Sequence, residues 1–110
     1  MTLTKKGRRN ITVDNVRYIW QAYSDGDGNF SIALSKPAGG QILIANIHII
    51  SAEGVLIITN YIVRQIILQG LIAGWTPTEQ KATMYLRRFQ EHIDISKATF
   101  IGSIKDSNHD

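Results

Sequence analysis

The sequence predicts a single α+β domain in which an antiparallel sheet packs against one helix. Apolar and polar residues alternate over much of residues 10–58, whereas apolar residues recur at helical spacing from residue 60 onward. A chain of 110 residues, 44% of them hydrophobic, is long enough to form one core of its own. We expect an antiparallel meander of about four to five strands, a helix near 60–73 and a second helix or strand near 77–93.

Short polar turns delimit the first strands. Residues 11–13 and 16–23 flank Asp14-Asn15, and both turn residues tolerate a positive φ, so a two-residue hairpin is expected here. The second strand alternates well, and one of its faces is formed by Val16, Tyr18, Trp20 and Ala22. We assign this face, with Trp20 as a structural anchor, to the core.

The segment 41–50 is the most strand-like part of the chain. One face carries Ile42, Ile44, Asn46, His48 and Ile50, and the other carries Leu43, Ala45, Ile47 and Ile49. Because both faces are mostly apolar, we expect this strand to lie centrally or to be covered on both sides. Residues 55–58 form either a short strand or a buried lead-in to the helix, and a last short strand is expected at 98–104.

The helix has recognisable signals at both ends. Thr59 is a suitable N-cap, and apolar residues follow at helical spacing, namely Ile62, Val63, Ile66, Ile67, Gly70 and Leu71. Gly74 suits the left-handed position after the helix, and Pro77 prevents its continuation. We expect the helix over Asn60 to Ala73 and a buried Trp75 that ties its end to the sheet.

Residues 77–93 admit two interpretations. Thr76-Pro77-Thr78-Glu79 has the form of a capping box with proline at the first helical position, and apolar residues follow at helical spacing. A strand through Thr83, Tyr85, Arg87 and Phe89 is the alternative. Local chemistry favours the helix.

Two motifs resemble a group of small uncharacterised bacterial proteins. The first runs from Arg8 to Asp14 (RRNITVD) into Tyr18-Ile19-Trp20, and the second joins Ile58-Thr59 through Val63-Arg64 to Gly74-Trp75-Thr76-Pro77. Asn15 stands where that group usually has glycine, and Asn60 where it has proline. The resemblance implies a bacterial, cytosolic protein with a short strand after the second motif, and it carries no activity.

Composition excludes several kinds of site. The chain has no cysteine, so disulfides, thiol catalysis and cysteine-ligated metals are absent. No apolar stretch is long enough to span a bilayer as a helix, and no targeting segment is visible. We find no nucleophile elbow and no phosphate-binding glycine pattern. The expectation is a cytoplasmic protein that is not an enzyme and needs no cofactor.

Two candidate metal sites lack part of the ligand set that a metal ion would need. Asp25, Asp27 and Asn29 have the first spacings of a calcium loop, but Phe30 replaces the required glycine and Lys36 the bidentate glutamate. A polar hairpin loop is therefore expected at this position. His48 lacks a second ligand at suitable spacing, so we expect a hydrogen-bonded histidine in the sheet.

Positive charge is concentrated at the N-terminus. The net charge is +3, and residues 1–9, which we expect to form a basic arm, include Lys5, Lys6, Arg8 and Arg9. The domain itself is expected to cover 10–104 and a frayed tail 105–110. The arm either contacts an acidic partner or nucleic acid, or is simply solvated ahead of the first strand.

Two functions of different classes follow. The first is a protein–protein interaction module that also self-associates as a homodimer, because the helix has a wide apolar arc and the strand 41–50 is apolar on both faces. Its candidate contact residues are the four cations of the arm with Tyr61, Arg64, Leu68 and Ile72. The alternative is a nucleic-acid-binding protein that uses the basic arm with Arg87 and Arg88. The aromatic residues Tyr18, Trp20 and Tyr23 on the second strand also favour this alternative.

Overall fold

The computed structural model describes residues 7–25, 28–49 and 55–101. Its strands are β1 (Arg9–Val13), β2 (Val16–Ser24), β3 (Asn29–Ser35), β4 (Leu43–His48), β5 (Val55–Ile57), β6 (Met84–Leu86) and β7 (Thr99–Ile101). One helix, α1, spans Asn60–Ile72, and short 3-10 turns cover Phe89–His92 and Ile95–Lys97. The predicted α+β fold is confirmed. The expected tail at 105–110 lies outside the described residues.

Five strands form one sheet in the order β1-β2-β3-β4-β6. The first four strands are antiparallel neighbours in chain order, which is the expected meander, whereas β6 joins β4 in parallel. β5 and β7 pair separately as a small antiparallel sheet. Within the described residues, no helix has the length and apolar character needed to cross a membrane.

The first turn is the predicted two-residue hairpin. Asp14 and Asn15 both have positive φ, 51° and 66°, and Val13 pairs directly with Val16. Asparagine and aspartate tolerate this left-handed conformation better than other side chains. The turn therefore fixes the register in which the faces of β1 and β2 meet.

The expectation of a helix over 77–93 is wrong, and the alternative strand is correct around Met84–Leu86. The capping-box residues form only an isolated turn, in which Glu79 N–H donates to the Thr76 carbonyl at 3.0 Å. Beyond it, Met84 N–H donates to the Ile42 carbonyl at 2.9 Å and begins the pairing with β4. The open edge of β4 provides hydrogen bonds from outside the segment, and these override its local helical preference.

The core lies between α1 and one face of the sheet, the inner face. The sheet contributes fully buried side chains that include Ile32, Leu34, Leu43 and Ile47, and α1 contributes Ile62, Val63, Ile66 and Ile67. Gly70 faces Leu43 so closely that an added Cβ would overlap the leucine methyl group. Glycine at this position lets the last turn of α1 approach β4.

Trp75 ties the end of α1 to the sheet. Gly74 has φ 108° and reverses the chain, so that the tryptophan, 2% exposed, enters the core. Its indole Nε1–H donates to the Gln41 carbonyl at 2.9 Å. The Gln41 side chain accepts from the Thr76 N–H at 2.9 Å and donates to the Ala82 carbonyl at 2.9 Å. One glutamine thus connects the helix end, β4 and the approach to β6.

Replacing Trp75 should test this connection. Trp75→Ala removes a buried aromatic ring and is expected to lower the free energy of unfolding by about 3–5 kcal/mol. Trp75→Phe keeps a ring but leaves the Gln41 carbonyl without its donor, at a cost of about 1–3 kcal/mol. Urea unfolding followed by circular dichroism measures both.

The matched control for this prediction is Ile72→Ala. Ile72 also lies at the end of α1 but is 78% exposed, so its truncation should change stability by less than about 0.5 kcal/mol. A loss below about 1 kcal/mol for Trp75→Ala would contradict its role as an anchor.

Candidate functional site

The face of the five-stranded sheet opposite α1, the outer face, is the first candidate surface. Its apolar centre is a small cluster formed by Ile19, Ala33 and Ile42, with Ile44 packed beside it. These side chains stand on neighbouring strands, because Ala33 pairs with Ile44 and Ser35 pairs with Ile19. They form an apolar strip that is separate from the main core, and Ile19, Ala33 and Ile42 in it are buried, at only 5–7% exposed.

Aromatic and cationic side chains flank this strip. Tyr23 and Tyr85 are 49% and 52% exposed, and the Arg87 guanidinium lies 5.5 Å from the centre of the Tyr85 ring. Arg17 is held by its Nη2–H, which donates to Asn10 Oδ1 at 3.1 Å. None of the five strands of this sheet contains Asp or Glu. The strands therefore supply only cations to the outer face, while the carboxylate of Asp25 lies at its end, in the loop that follows β2.

The N-terminal arm reaches the structure at this face. An added Cβ at Gly7 would lie 3.3 Å from the Gln21 side-chain amide, so the chain passes over Gln21. Arg8 is exposed, while Arg9 lies with its guanidinium 5.9 Å from the Trp20 ring centre, which is buried. Lys5 and Lys6, which also belong to the expected arm, lie outside the described residues.

The four candidate residues on α1 do not share one environment. Tyr61 is half-buried, and its hydroxyl accepts from the Asp94 N–H at 3.1 Å. Leu68 packs against the main core. Arg64 and Ile72 are exposed. Two of the four thus serve packing within the fold, which leaves a smaller open surface on the helix than the sequence pattern suggests.

A second candidate is a polar cluster at one end of β3 and β4. Asn29 pairs with His48 across the strands, and Asn29 Oδ1 contacts His48 Nδ1. Asn29 Nδ2–H donates to Asp25 Oδ2 at 2.7 Å. Asp25, Asn29 and His48 thus form one hydrogen-bonded chain that orients the histidine ring.

This cluster borders a cavity of about 400 Å³. Its polar wall consists of Asn29, Ser31, Asn46 and His48; Phe30 and Ile47 add apolar surface, and Arg88 contributes a cation. Ser31 Oγ–H donates to Asn46 Oδ1 at 3.0 Å. Arg88 has φ 56°, a left-handed conformation that is unusual for this residue type. Sheet register, rather than sequence proximity, brings these groups together.

Asp94 and Tyr18, which do not line the cavity, have pKa values that the structure shifts. The Ser96 hydroxyl and backbone N–H donate to Asp94 and lower the pKa of its carboxyl group. Burial and the nearby Asp14 carboxylate raise the pKa of Tyr18. Asp94 thereby stabilises the start of the 3-10 turn at Ile95–Lys97, and Tyr18 stays neutral in the core.

The sequence pointed to Tyr23 as one of the strand aromatics of the nucleic-acid interpretation, but it did not identify Tyr85 or the pairing of Asn29 with His48 as features of a site. The position of Tyr85 depends on the β6 strand, which competed with a helix. The contact of Asn29 with His48 depends on the β3–β4 register. The segment Pro37-Ala38-Gly39-Gly40 between β3 and β4 is a turn signal in the sequence, and counting outward from it could have suggested this register.

We expect no tight calcium binding at the Asp25 loop. Among the described residues, no group of three or more metal-binding side chains is assembled, and both Asp25 and Asn29 already hydrogen-bond to each other. Calorimetric titration of the protein with calcium chloride should give only the heat of dilution. A saturable micromolar affinity would contradict this expectation.

Comparisons with protein-family models, with curated proteins and with solved structures give no match. The resemblance drawn from the two sequence motifs therefore has no counterpart in these comparisons. Functional inference rests on the outer face and on the free edge of β1.

Proposed function

We propose that this protein is a non-enzymatic protein–protein interaction module whose outer face binds an acidic surface of a partner protein. The observation that carries the proposal is the pair of half-exposed tyrosines, with the Arg87 guanidinium against one of them, on a sheet face that α1 does not cover. With it we propose the bacterial, cytosolic setting that the sequence resemblance implies.

The composition of the outer face supports a protein partner. Tyrosine and arginine are enriched among the residues that dominate binding energy at protein interfaces, and such residues surround small apolar centres. Tyr23 on β2 and Tyr85 on β6 are separated by three strand spacings, or about 14 Å at about 4.8 Å each. Ala33 and Ile44 stand on the two strands between them, whereas Ile19 lies on β2 with Tyr23 itself.

Charge favours an acidic partner over a second copy of this chain. Arg17 and Arg87 lie on the outer face, and the strands of this face supply no carboxylate to oppose them. Pairing two such faces would bring like charges together and cost free energy. Self-association, which the sequence also suggests, would have to use another surface, such as the exposed Leu71 and Ile72 at the end of α1.

A double variant tests the proposed face. Tyr23→Ala with Tyr85→Ala should leave the fold intact, because both rings are about half exposed, and should weaken partner binding at least about tenfold. The partner is captured from lysate of the source cells on immobilised protein, identified by mass spectrometry and then titrated in purified form by calorimetry.

Ile72→Ser is the control, since it alters an exposed apolar residue on the helix side of the sheet. The proposal is wrong if the purified partner binds the double tyrosine variant as tightly as the unaltered protein. Sedimentation velocity over a range of concentrations tests the remaining alternative, which is self-association of this chain. A dimer that Ile72→Ser dissociates would assign the interaction to the helix end instead.

Nucleic acid is a second candidate, favoured by the Arg87–Tyr85 stack. Exposed aromatic rings on a sheet with nearby arginines can stack on unpaired bases and contact phosphates. The arm residue Arg8 and the turn residue Arg88 would extend the positive surface, whereas Arg9 pairs with Trp20 and lies on the inner face. The buried Tyr18 and Trp20 take no part, because both lie on the inner face.

Salt dependence distinguishes the two candidates. If the protein binds nucleic acid, its affinity for a fluorescent single-stranded oligonucleotide should fall steeply and log-linearly with salt, and Arg87→Ala should reduce the slope by about one phosphate contact. Fluorescence anisotropy measures both quantities. No binding at low salt would eliminate this candidate and leave the protein-partner proposal unaffected.

A further inference from the structure

We propose that the free edge of β1 pairs in antiparallel with β1 of a second copy of this chain, so that two five-stranded sheets join into one continuous sheet. β1 stands at the end of the strand order, and among the described residues no strand pairs with its other side. The contact goes beyond the outer-face proposal, because it uses backbone groups at the sheet edge rather than the side chains of Tyr23 and Tyr85.

The register of the first hairpin decides which backbone groups of β1 are directed away from β2. Val13 and Val16 flank a two-residue turn and form a hydrogen-bonded pair, so such pairs recur at every second residue before Val13. The N–H and C=O groups of Asn10 and Thr12 therefore point to the free edge. Both residues are exposed. Backbone groups of this kind are a template for another strand.

This edge lacks two of the devices that commonly block strand addition. β1 contains no proline, and its pairing with β2 runs from Arg9 to Val13 without a bulge. The chain before it does not prolong the edge, because Gly7 has φ 79° and passes over Gln21. All five residues of β1 are therefore available for pairing.

One symmetric register pairs the whole of β1 with itself. When Asn10 lies opposite Thr12 of the second copy, the two-fold axis passes through Ile11 and all five strand residues find partners. The same register places Arg8, directly before the strand, opposite Asp14 of the second copy, directly after it. Because the contact is isologous, each of these pairs occurs twice.

Charge selects a second copy over an unrelated acidic peptide. Arg8 and Asp14 are both exposed, and neither forms a salt bridge among the described residues. In the symmetric register each cation meets a carboxylate, whereas an acidic peptide on this edge would also face Asp14 and be repelled by it. Exposed ion pairs add little affinity singly, but they fix partner and register.

The remaining side chains are compatible with this contact. Ile11 is half-buried and packs against the main core, and in the symmetric register it meets its own copy across the axis, which removes apolar surface from water. The two copies of Arg17, on β2, stand three strand spacings apart, or about 14 Å at about 4.8 Å each. That separation exceeds the screening length of about 8 Å at physiological salt. Edge pairing thus avoids the like-charge contact of two outer faces.

Sedimentation velocity of the unaltered chain over a range of concentrations should show a monomer–dimer equilibrium. Thr12→Pro removes an N–H that points to the free edge and leaves the hydrogen bonds to β2 in place, so it should raise the dimer Kd at least about tenfold. Thr12→Val keeps the N–H and is the matched control, with a change of less than about twofold. A monomer at every concentration, or a dimer that Ile72→Ser dissociates and Thr12→Pro does not, overturns the proposal.

Charge variants test the register without altering the strand. Arg8→Glu brings two carboxylates together at each of two sites and should raise the dimer Kd about tenfold. Adding Asp14→Asn, which tolerates the left-handed turn, removes this repulsion and should recover part of the affinity. Arg87→Glu makes the same charge change beside β6, at the opposite edge of the sheet. An equal loss for Arg8→Glu and Arg87→Glu refutes the register.

A disulfide provides a direct readout, because the chain has no cysteine of its own. Ile11→Cys would place two thiols across the axis in a non-hydrogen-bonded pair, with Cα atoms about 4.5 Å apart, a separation that a disulfide spans. Oxidation with copper phenanthroline should give a covalent dimer. Thr12→Cys is the control: it is more exposed, but its own copy lies diagonally about 7–8 Å away. Cross-linking that is stronger at Thr12→Cys than at Ile11→Cys contradicts the proposed pairing.

Discussion

The rest of this structure depends on the hydrogen bonds of Gln41, both those of its side-chain amide and that of its backbone carbonyl. Its backbone carbonyl accepts from the Trp75 indole, its Oε1 accepts from Thr76, and its Nε2 donates to the Ala82 carbonyl. Every hydrogen-bonding atom of the side chain is therefore directed at a different stretch of chain. Because Gln41 is only 8% exposed, the loss of any one of these bonds would leave a buried polar group unsatisfied. The position of α1 over the inner face and the arrival of β6 beside β4 both follow from this residue.

The two faces of the sheet differ because one helix can cover only one of them. α1 buries its apolar side against Leu43 and its neighbours, and Gly70 permits close approach. The outer face keeps a small apolar strip between exposed tyrosines and arginines. This asymmetry explains why strand 43–48 is apolar on the inner side but becomes polar toward its end on the outer side. Asn46 and His48, which interrupt the apolar pattern in the sequence, are the residues that border the cavity.

Local signals were sufficient to predict the Asp14-Asn15 turn, the limits of α1 and the burial of Trp75, because each depends on residues that are close in sequence. Thr59 precedes α1 as expected, yet its hydroxyl makes no capping hydrogen bond. β6 could not be predicted in the same way, since the bonds that hold it come from Gln41 and Ile42, about forty residues earlier. The cavity likewise depends on the β3–β4 register and on the turn at Arg88. Such long-range pairing overrides local propensity and is not encoded in short motifs.

The parallel pairing of β4 with β6 spans the longest connection in the five-stranded sheet. β1 to β4 are joined by short connections, whereas the chain between β4 and β6 includes α1. The edge of the sheet that precedes Arg88 rests on three residues of strand. Opening of this short strand alone would move Arg88 away from β4 while the meander and the helix remain in place. The backbone hydrogen bonds of β6 are therefore the ones in this sheet that we expect to exchange first with solvent.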